Sequence, residues 1–573
     1  MGCHIQRRTF IVGGLATAAL AADQLIRAVP AWACPSSGLD SVVPKSRYDL
    51  TIAPLQPVID GERGNALAVN GTVPGPVVRL REGDEANLNV TNMLDTDSSI
   101  HWHGILLPFP MDGVPGVTFR GIPPGDTYHY RFRVKQAGTY WYHSHKRFQI
   151  QSGVYGPLII DPKEPEPFSY EREHVIVLSD WSFEDPETIF RNISIDNEYY
   201  KYQRRTVGEF FSDVSKDGLM PTVRERMAWG TMRMSPVDLS DVTGAAYTYL
   251  VNGHSPDMNW TGLFTPGETI RLRIINASSM TNFDIRIPDQ CLTVVAADGR
   301  YVKPVVVHEL RIGVAEVFDV LVKLDERAYT LFAESMDRSG YARATLAPEL
   351  GMQADVPALR SRPVRTLESV GMGMMAHSAK QMRSMEMSST SDDPNVPGPN
   401  GPKPFMPDEN GPGVAMTVMN PKSRLSEPGI GLGSDGWRVL TYCDLVSIEP
   451  QIYASHPDRE MTINLTSNMT RYMFSLDGKM YSEQDGPYLF KYYERLRLYM
   501  VNHTMMEHPM HLHGMWMQLE NGSSSLPFKH TILVKPGEVL SVLITPVEKG
   551  DWAFHCHLLY HMEAGMFQVV RVA

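Results

Sequence analysis

The sequence predicts an all-β protein of three β-sandwich domains, and three observations carry that prediction. Alternating runs such as Tyr128-His129-Tyr130-Arg131-Phe132-Arg133-Val134 recur between Pro-Gly turns, the period of a strand with one buried face. One strand is written three times, over 85–92, 268–276 and 494–502, each copy opening on Glu and closing on an Asn that can start a turn. A Pro-Gly-acid turn also occurs three times, at 124–126, 266–268 and 536–538. The 573 residues exceed what one core can organise, because chains beyond roughly 250–300 residues split into domains.

From the N-terminus, Gln6-Arg7-Arg8-Thr9-Phe10-Ile11-Val12 precedes a small apolar run, Gly13 to Ala22. That run falls short of the roughly 20 residues a membrane span needs. Ala31-Trp32-Ala33 supplies a cleavage site, so residues 1–33 read as a twin-arginine-type signal peptide, leaving a mature chain without a transmembrane segment. Cys34 after the cut leaves a lipoprotein alternative open. Sandwich domains are expected over 45–163, 170–345 and 430–573, with the irregular, Met-rich and charged stretch 185–240 as the place for added helix. Residues 350–429 are rich in Met, Ser, Pro and Gly, lack apolar periodicity and read as a linker.

Composition removes several classes of function. With 43% apolar and 21% charged residues, the chain is neither disordered nor a multi-span membrane protein. Its 53 basic and 65 acidic side chains give a net charge of −12, the wrong sign for a general nucleic-acid binder. Five cysteines cannot staple so long a chain, and Cys34, Cys291 and Cys443 allow at most one disulfide. The 32 methionines point towards soft-metal handling.

The chemistry lies in four clusters: His101-Trp102-His103, His143-Ser144-His145, His508-Pro509-Met510-His511-Leu512-His513, and His555-Cys556-His557 continuing through His561 to Met566. Strand residues i and i+2 share a face, so each His-X-His aims two imidazoles at one place. A lone pair of this kind says little, but ten of the 19 histidines fall in these clusters. Cys556 faces away from His555 and His557. A Cys with two His and a distant Met is the ligand set of a blue-copper electron-transfer site, here His508, Cys556, His561 and Met566. The other eight imidazoles face a second metal site, joined to the first by the two covalent arms leaving Cys556. Zinc does not suit this arrangement, being redox-inactive and closed by four ligands in structural sites.

At these residues the chain resembles the multicopper oxidases, and is similar over nearly its whole length to their copper-resistance branch (CopA/PcoA type). Tyr140 to His145, Val295 to Gly299, Met336 to Arg343 and Met505 to Pro509 add to the likeness. The resemblance implies three cupredoxin-like Greek-key β-sandwiches and four copper ions: one type 1, one type 2 and a type 3 pair. His101 and His511 would hold type 2 copper, and His103, His143, His145, His513, His555 and His557 the type 3 pair, between the first and third domains. The middle domain would be a repeat without copper.

It further implies a periplasmic monomer that takes electrons one at a time at Cys556 and reduces O2 to water, with Cu(I) or a phenol as reductant and periplasmic copper-handling proteins as partners. Asp112 matches a carboxylate that supplies protons, and Glu507 and Glu563 would orient imidazoles or extend a proton path. Met505, Met506, Met510, Met515, Met517 and Met562 are candidates for a thioether-lined entrance. The branch's long Met-rich repeats are reduced here to Met372, Met374, Met375, His377, Met382, Met385 and Met387, which argues against bulk storage. A laccase acting on phenols or aromatic amines and a copper-sequestering protein are the rival readings.

Overall fold

The computed structural model describes residues 42–573 except 202, 233, 374–400, 404, 406–411, 419, 452, 454 and 455. The signal segment 1–33, Cys34, Met374, Met375, His377, Met382, Met385 and Met387 lie outside the described residues. Most of the rest is built from strands gathered into three pairs of sheets, with four strands in each sheet of the first pair and six and five in each later pair, beside a two-stranded ribbon of Val58–Ile59 and Glu62–Arg63.

The thrice-written strand occupies the same place in each pair. Glu85–Asn92 runs parallel to Arg47–Leu55 and antiparallel to Thr127–Arg133. Thr269–Asn276 lies in the same way between Arg172–Trp181 and Val317–Lys323, and Leu496–Asn502 between Arg459–Asn468 and Val539–Ile544. The closing asparagine does the same work each time. Its side-chain amide donates to two main-chain carbonyls, those of Thr96 and Ile122 for Asn92, Thr281 and Ile312 for Asn276, and Met506 and Val534 for Asn502. Its carbonyl accepts the N–H two residues on, from Leu94, Ser278 and Thr504. All three asparagines are fully buried, so these bonds satisfy groups that water cannot reach.

Helix does enter the expected stretch, as Pro186–Ile195, Val207–Asp217 and Leu219–Met232. Thr206 and Glu209 form a reciprocal cap at the start of the second helix, satisfying donors that helix geometry leaves open. These helices are inserted between Arg172–Trp181 and Thr248–Val251, which pair antiparallel. A satellite apolar cluster joins Trp229 to Leu367, Val370, Met372, Met416, Val418, Met505 and Met506. Both flanks of the 350–429 stretch are therefore anchored by burial. No helix among the described residues is long and apolar enough to cross a membrane.

Candidate metal centre

Strand register assembles the histidines. His101–His103 pairs antiparallel with Gly138–His143, setting His101 opposite His143. His508–Leu512 pairs antiparallel with Gly550–Cys556, setting His511 opposite His555 and Met510 opposite Cys556. The two ribbons meet face to face. Ligand atoms then fall within 4.8 Å of one another in the sets His101, His103 and His511; His103, His143 and His557; His145, His513 and His555; and His508, Cys556 and His561. Each of the first three sets takes side chains from both ribbons, so neither domain completes any of them alone.

One nitrogen of most rings is anchored, which fixes where the other points. His101 Nδ1 lies 2.7 Å from the Asp112 carbonyl, His511 Nδ1 2.7 Å from that of His530, and His143 and His555 Nδ1 2.9 Å from those of Ser144 and Cys556. Their Nε2 atoms face inward. His103 is reversed: its Nε2 meets His530 Nδ1 at 3.2 Å and Thr531 Oγ1 at 3.1 Å, leaving Nδ1 for the interior.

The inward atoms fit a metal. His101 and His511 Nε2 are buried without a hydrogen-bond partner. The Nε2 atoms of His145 and His555 approach to 3.2 Å, those of His513 and His555 to 3.1 Å, and those of His143 and His557 to 3.3 Å. Facing lone pairs at such distances call for a cation between them. Burial, reinforced by neighbouring imidazoles, holds His103, His143, His145, His511, His513 and His557 well below the usual histidine range. Burial likewise brings His555 down to about 4. The rings are thus neutral and able to ligate.

At the cysteine site, Cys556 Sγ lies 3.5 Å from His508 Nδ1 and 3.8 Å from His561 Nδ1. Burial pushes its thiol well up, so a proton occupies the sulfur until a metal displaces it. Thr504 Oγ1 anchors His508 Nε2 at 2.7 Å. Met566 is fully buried beside them, its carbonyl accepting the Cys556 N–H at 3.1 Å. A thiolate with two imidazoles suits copper.

Three residues absent from the sequence reading enter here. Asp241, from the segment after the helical insertion, places Oδ2 2.7 Å from His561 Nε2 and also accepts the Tyr472 hydroxyl at 2.9 Å. Burial pushes its carboxyl up, but the bond to His561 and the charge of Lys201, 3.7 Å away, outweigh it and keep the group ionised. His530 touches His103 through its ring and His511 through its carbonyl. Thr504 is the third. An Asp 320 residues from its histidine and a single His outside any motif carry no signature. Thr504, four residues before His508, is local enough to have been noticed.

Asp112 places Oδ2 2.9 Å from His513 Nδ1. Gly113 (φ 85°) permits this, because a Cβ there would run into the Ile100 carbonyl. Glu507 departs from the first of its two expected roles, orienting an imidazole: its carboxylate turns to Arg311 at 3.4 Å and Arg365 at 3.9 Å. Two buried guanidiniums outcompete an imidazole whose outer nitrogen Thr504 already holds. Glu563 pairs with Arg147 at 3.5 Å and touches no imidazole directly, but it lines a cleft that also exposes His145. Cys291 and Cys443 are free and exposed, so no disulfide joins them.

Known proteins share this organisation. The multicopper oxidase family pattern matches residues 52–165, 222–349 and 455–573. A copper resistance protein A homolog of Pseudomonas syringae pv. tomato is 50% identical, with 100% of each chain covered. Copper resistance protein A of Escherichia coli is 46% identical over 99% of each chain. Among solved structures, a laccase from Botrytis aclada aligns with a TM-score of 0.60 at 20% identity, covering 92% of this chain and 88% of its own, which supports the cupredoxin-like all-β fold. Half-identity along the full length, together with imidazoles from two domains converging around one cysteine-bearing strand, shows that the chain belongs to the multicopper oxidase family.

Proposed function

We propose that the protein is an exported cuprous oxidase contributing to copper tolerance, converting four Cu(I) to Cu(II) for each O2 reduced with four protons to two waters. The observation that carries this is the placement of Cys556. Its sulfur joins His508 and His561, while its neighbours His555 and His557 enter two different imidazole sets. A sequestering protein has no use for that coupling, which disfavours storage. Copper held there supplies one-electron transfer and oxygen binding. Type 1 copper belongs to His508, Cys556, His561 and Met566, type 2 to His101 and His511, and the type 3 pair to His103, His143, His557 and His145, His513, His555.

The chain's own groups then have defined tasks. Asp112 orients His513 through its carboxylate and His101 through its carbonyl, and holds negative charge where protons are consumed. Glu563 stands on the cleft leading to His145, suited to carrying protons inward. Asp241 orients His561. The copper resistance names of the relatives support the physiological role, and the twin-arginine motif supports periplasmic export.

The test is oxygen uptake by the copper-loaded protein with chelator-buffered Cu(I), set against a phenol at matched driving force. Fast uptake with Cu(I), slow uptake with phenol and none in Cys556→Ser is the expected result. Uptake mainly with phenol would make the protein a laccase, and none with either would favour sequestration.

A further inference from the structure

One turn of the second domain, Asp298-Gly299, sits where all three domains meet. On one side Gly299 abuts Gly138, where a Cβ would run into the Gly299 carbonyl. Gly138 opens the first-domain strand that ends at His143. On the other side, Asp298 Oδ2 accepts the backbone N–H groups of His530 and Thr531 in the third domain, both at 3.1 Å. Its Oδ1 accepts the Val317 N–H at 3.1 Å, which ties the turn to its own sheet. Asp298 takes up a left-handed backbone (φ 49°), a conformation that Asp and Asn tolerate better than most residues.

His530 and Thr531 are what two of the metal-site rings lean on. The His530 carbonyl holds His511 Nδ1 at 2.7 Å, and His530 Nδ1 and Thr531 Oγ1 hold His103 Nε2 at 3.2 and 3.1 Å. One carboxylate therefore fixes the peptide pair that orients a ring in each histidine ribbon. Lys529, fully buried, sets Nζ 3.1 Å from Asp298 Oδ2 and 2.9 Å from Glu316 Oε1. A buried ion pair of this kind adds little net stability over apolar replacements, so stability alone does not account for it.

We propose that Asp298, held in place by Lys529, is a positioning residue for oxygen reduction, setting the His103 and His511 rings through the His530–Thr531 backbone. This rests on the assignment of those rings to copper. The essential feature is an acceptor oxygen facing two N–H groups. In Asp298→Asn one carboxylate oxygen becomes an NH2 group, which meets either those two donors or the Val317 N–H, so at least one donor is left unmatched.

The test compares copper-loaded Asp298→Asn, Lys529→Met and the double variant with the parent chain. Melting temperature reports stability, the visible thiolate–copper band reports the Cys556 site, and the EPR hyperfine coupling of type 2 copper reports His101 and His511. Asp298→Asn should alter the type 2 coupling or lose that copper, and lower oxygen uptake at least about tenfold, with the thiolate band unchanged. Lys529→Met should melt early. The double variant, free of both charges, should regain melting temperature but keep the altered type 2 signal. Where Asp298→Asn alone does not fold, the double variant carries the test. Recovery of stability and type 2 signal together in the double variant would overturn the proposal, by reducing Asp298 to a charge partner. An unchanged type 2 signal in Asp298→Asn, or equal loss of the thiolate band, would overturn it too. The spectra need no reductant, so failure here is distinct from failure of the cuprous-oxidase reading, which uptake with Cu(I) decides.

Discussion

Asp241 and His561 are 320 residues apart in sequence and 2.7 Å apart in space, joined by a carboxylate–imidazole bond from which both are shielded from water. A segment of the second domain thus reaches into the cysteine site. Asp241→Ala removes the partner that orients His561 and leaves the Tyr472 hydroxyl unmatched. Loss of a ligand's hydrogen-bond partner typically costs about 10–100-fold in metal affinity or activity. Copper content and kcat/KM for Cu(I) should fall within that range, as measured by metal analysis and oxygen uptake.

Asp112→Asn keeps an acceptor for His513 but removes the charge. Oxygen uptake should drop about 10–100-fold with copper fully loaded. Gly113→Ala, which forces the Asp112 segment away from Ile100, should lower uptake as well, with weakened copper retention. Full turnover by copper-loaded Asp112→Asn would remove the carboxylate from the proton path.

The repeated asparagines offer a matched pair. Asn276→Ala and Asn502→Ala each strand two buried carbonyls and a loop N–H, at about 1–3 kcal/mol for each unsatisfied group. Both should lower the melting temperature by similar amounts. Only Asn502→Ala should also loosen copper at Cys556, because its clamp holds the Thr504–Met506 turn and Thr504 anchors His508.

Glu173 governs acid stability where the first and second domains meet. Burial raises its pKa, but Arg273 at 2.8 Å and Arg79 at 2.5 Å outweigh burial and hold it at about 2 against an ordinary 4.5. The folded-state pKa is depressed, so the stabilisation is complete above the unfolded value and is lost as pH falls through the folded one. It amounts to roughly 3 kcal/mol. Glu173→Gln should melt earlier than the parent at pH 7, with the gap narrowing between pH 4.5 and 2. A gap constant with pH would show that the ion pairs contribute nothing.

Much of this protein was legible in the chain. Strand alternation and the thrice-written strand carry the all-β fold, because backbone periodicity is local. Each His-X-His declares a shared face, and His-Cys-His declares opposite faces, by the same two-residue period. The expectation for Asp112 came from the family resemblance, because an Asp-Gly pair nine residues beyond His103 reads equally well as a turn. What the chain could not declare is which side chains hold those rings. Asp241 meets His561, and His530 meets His103, only when elements of different domains pack. Glu507, adjacent to a ligand in sequence, is drawn off by arginines from elsewhere. Ligands on strands obey a repeat a few residues long. Their partners are chosen by burial and charge across the whole fold, where sequence distance has no bearing.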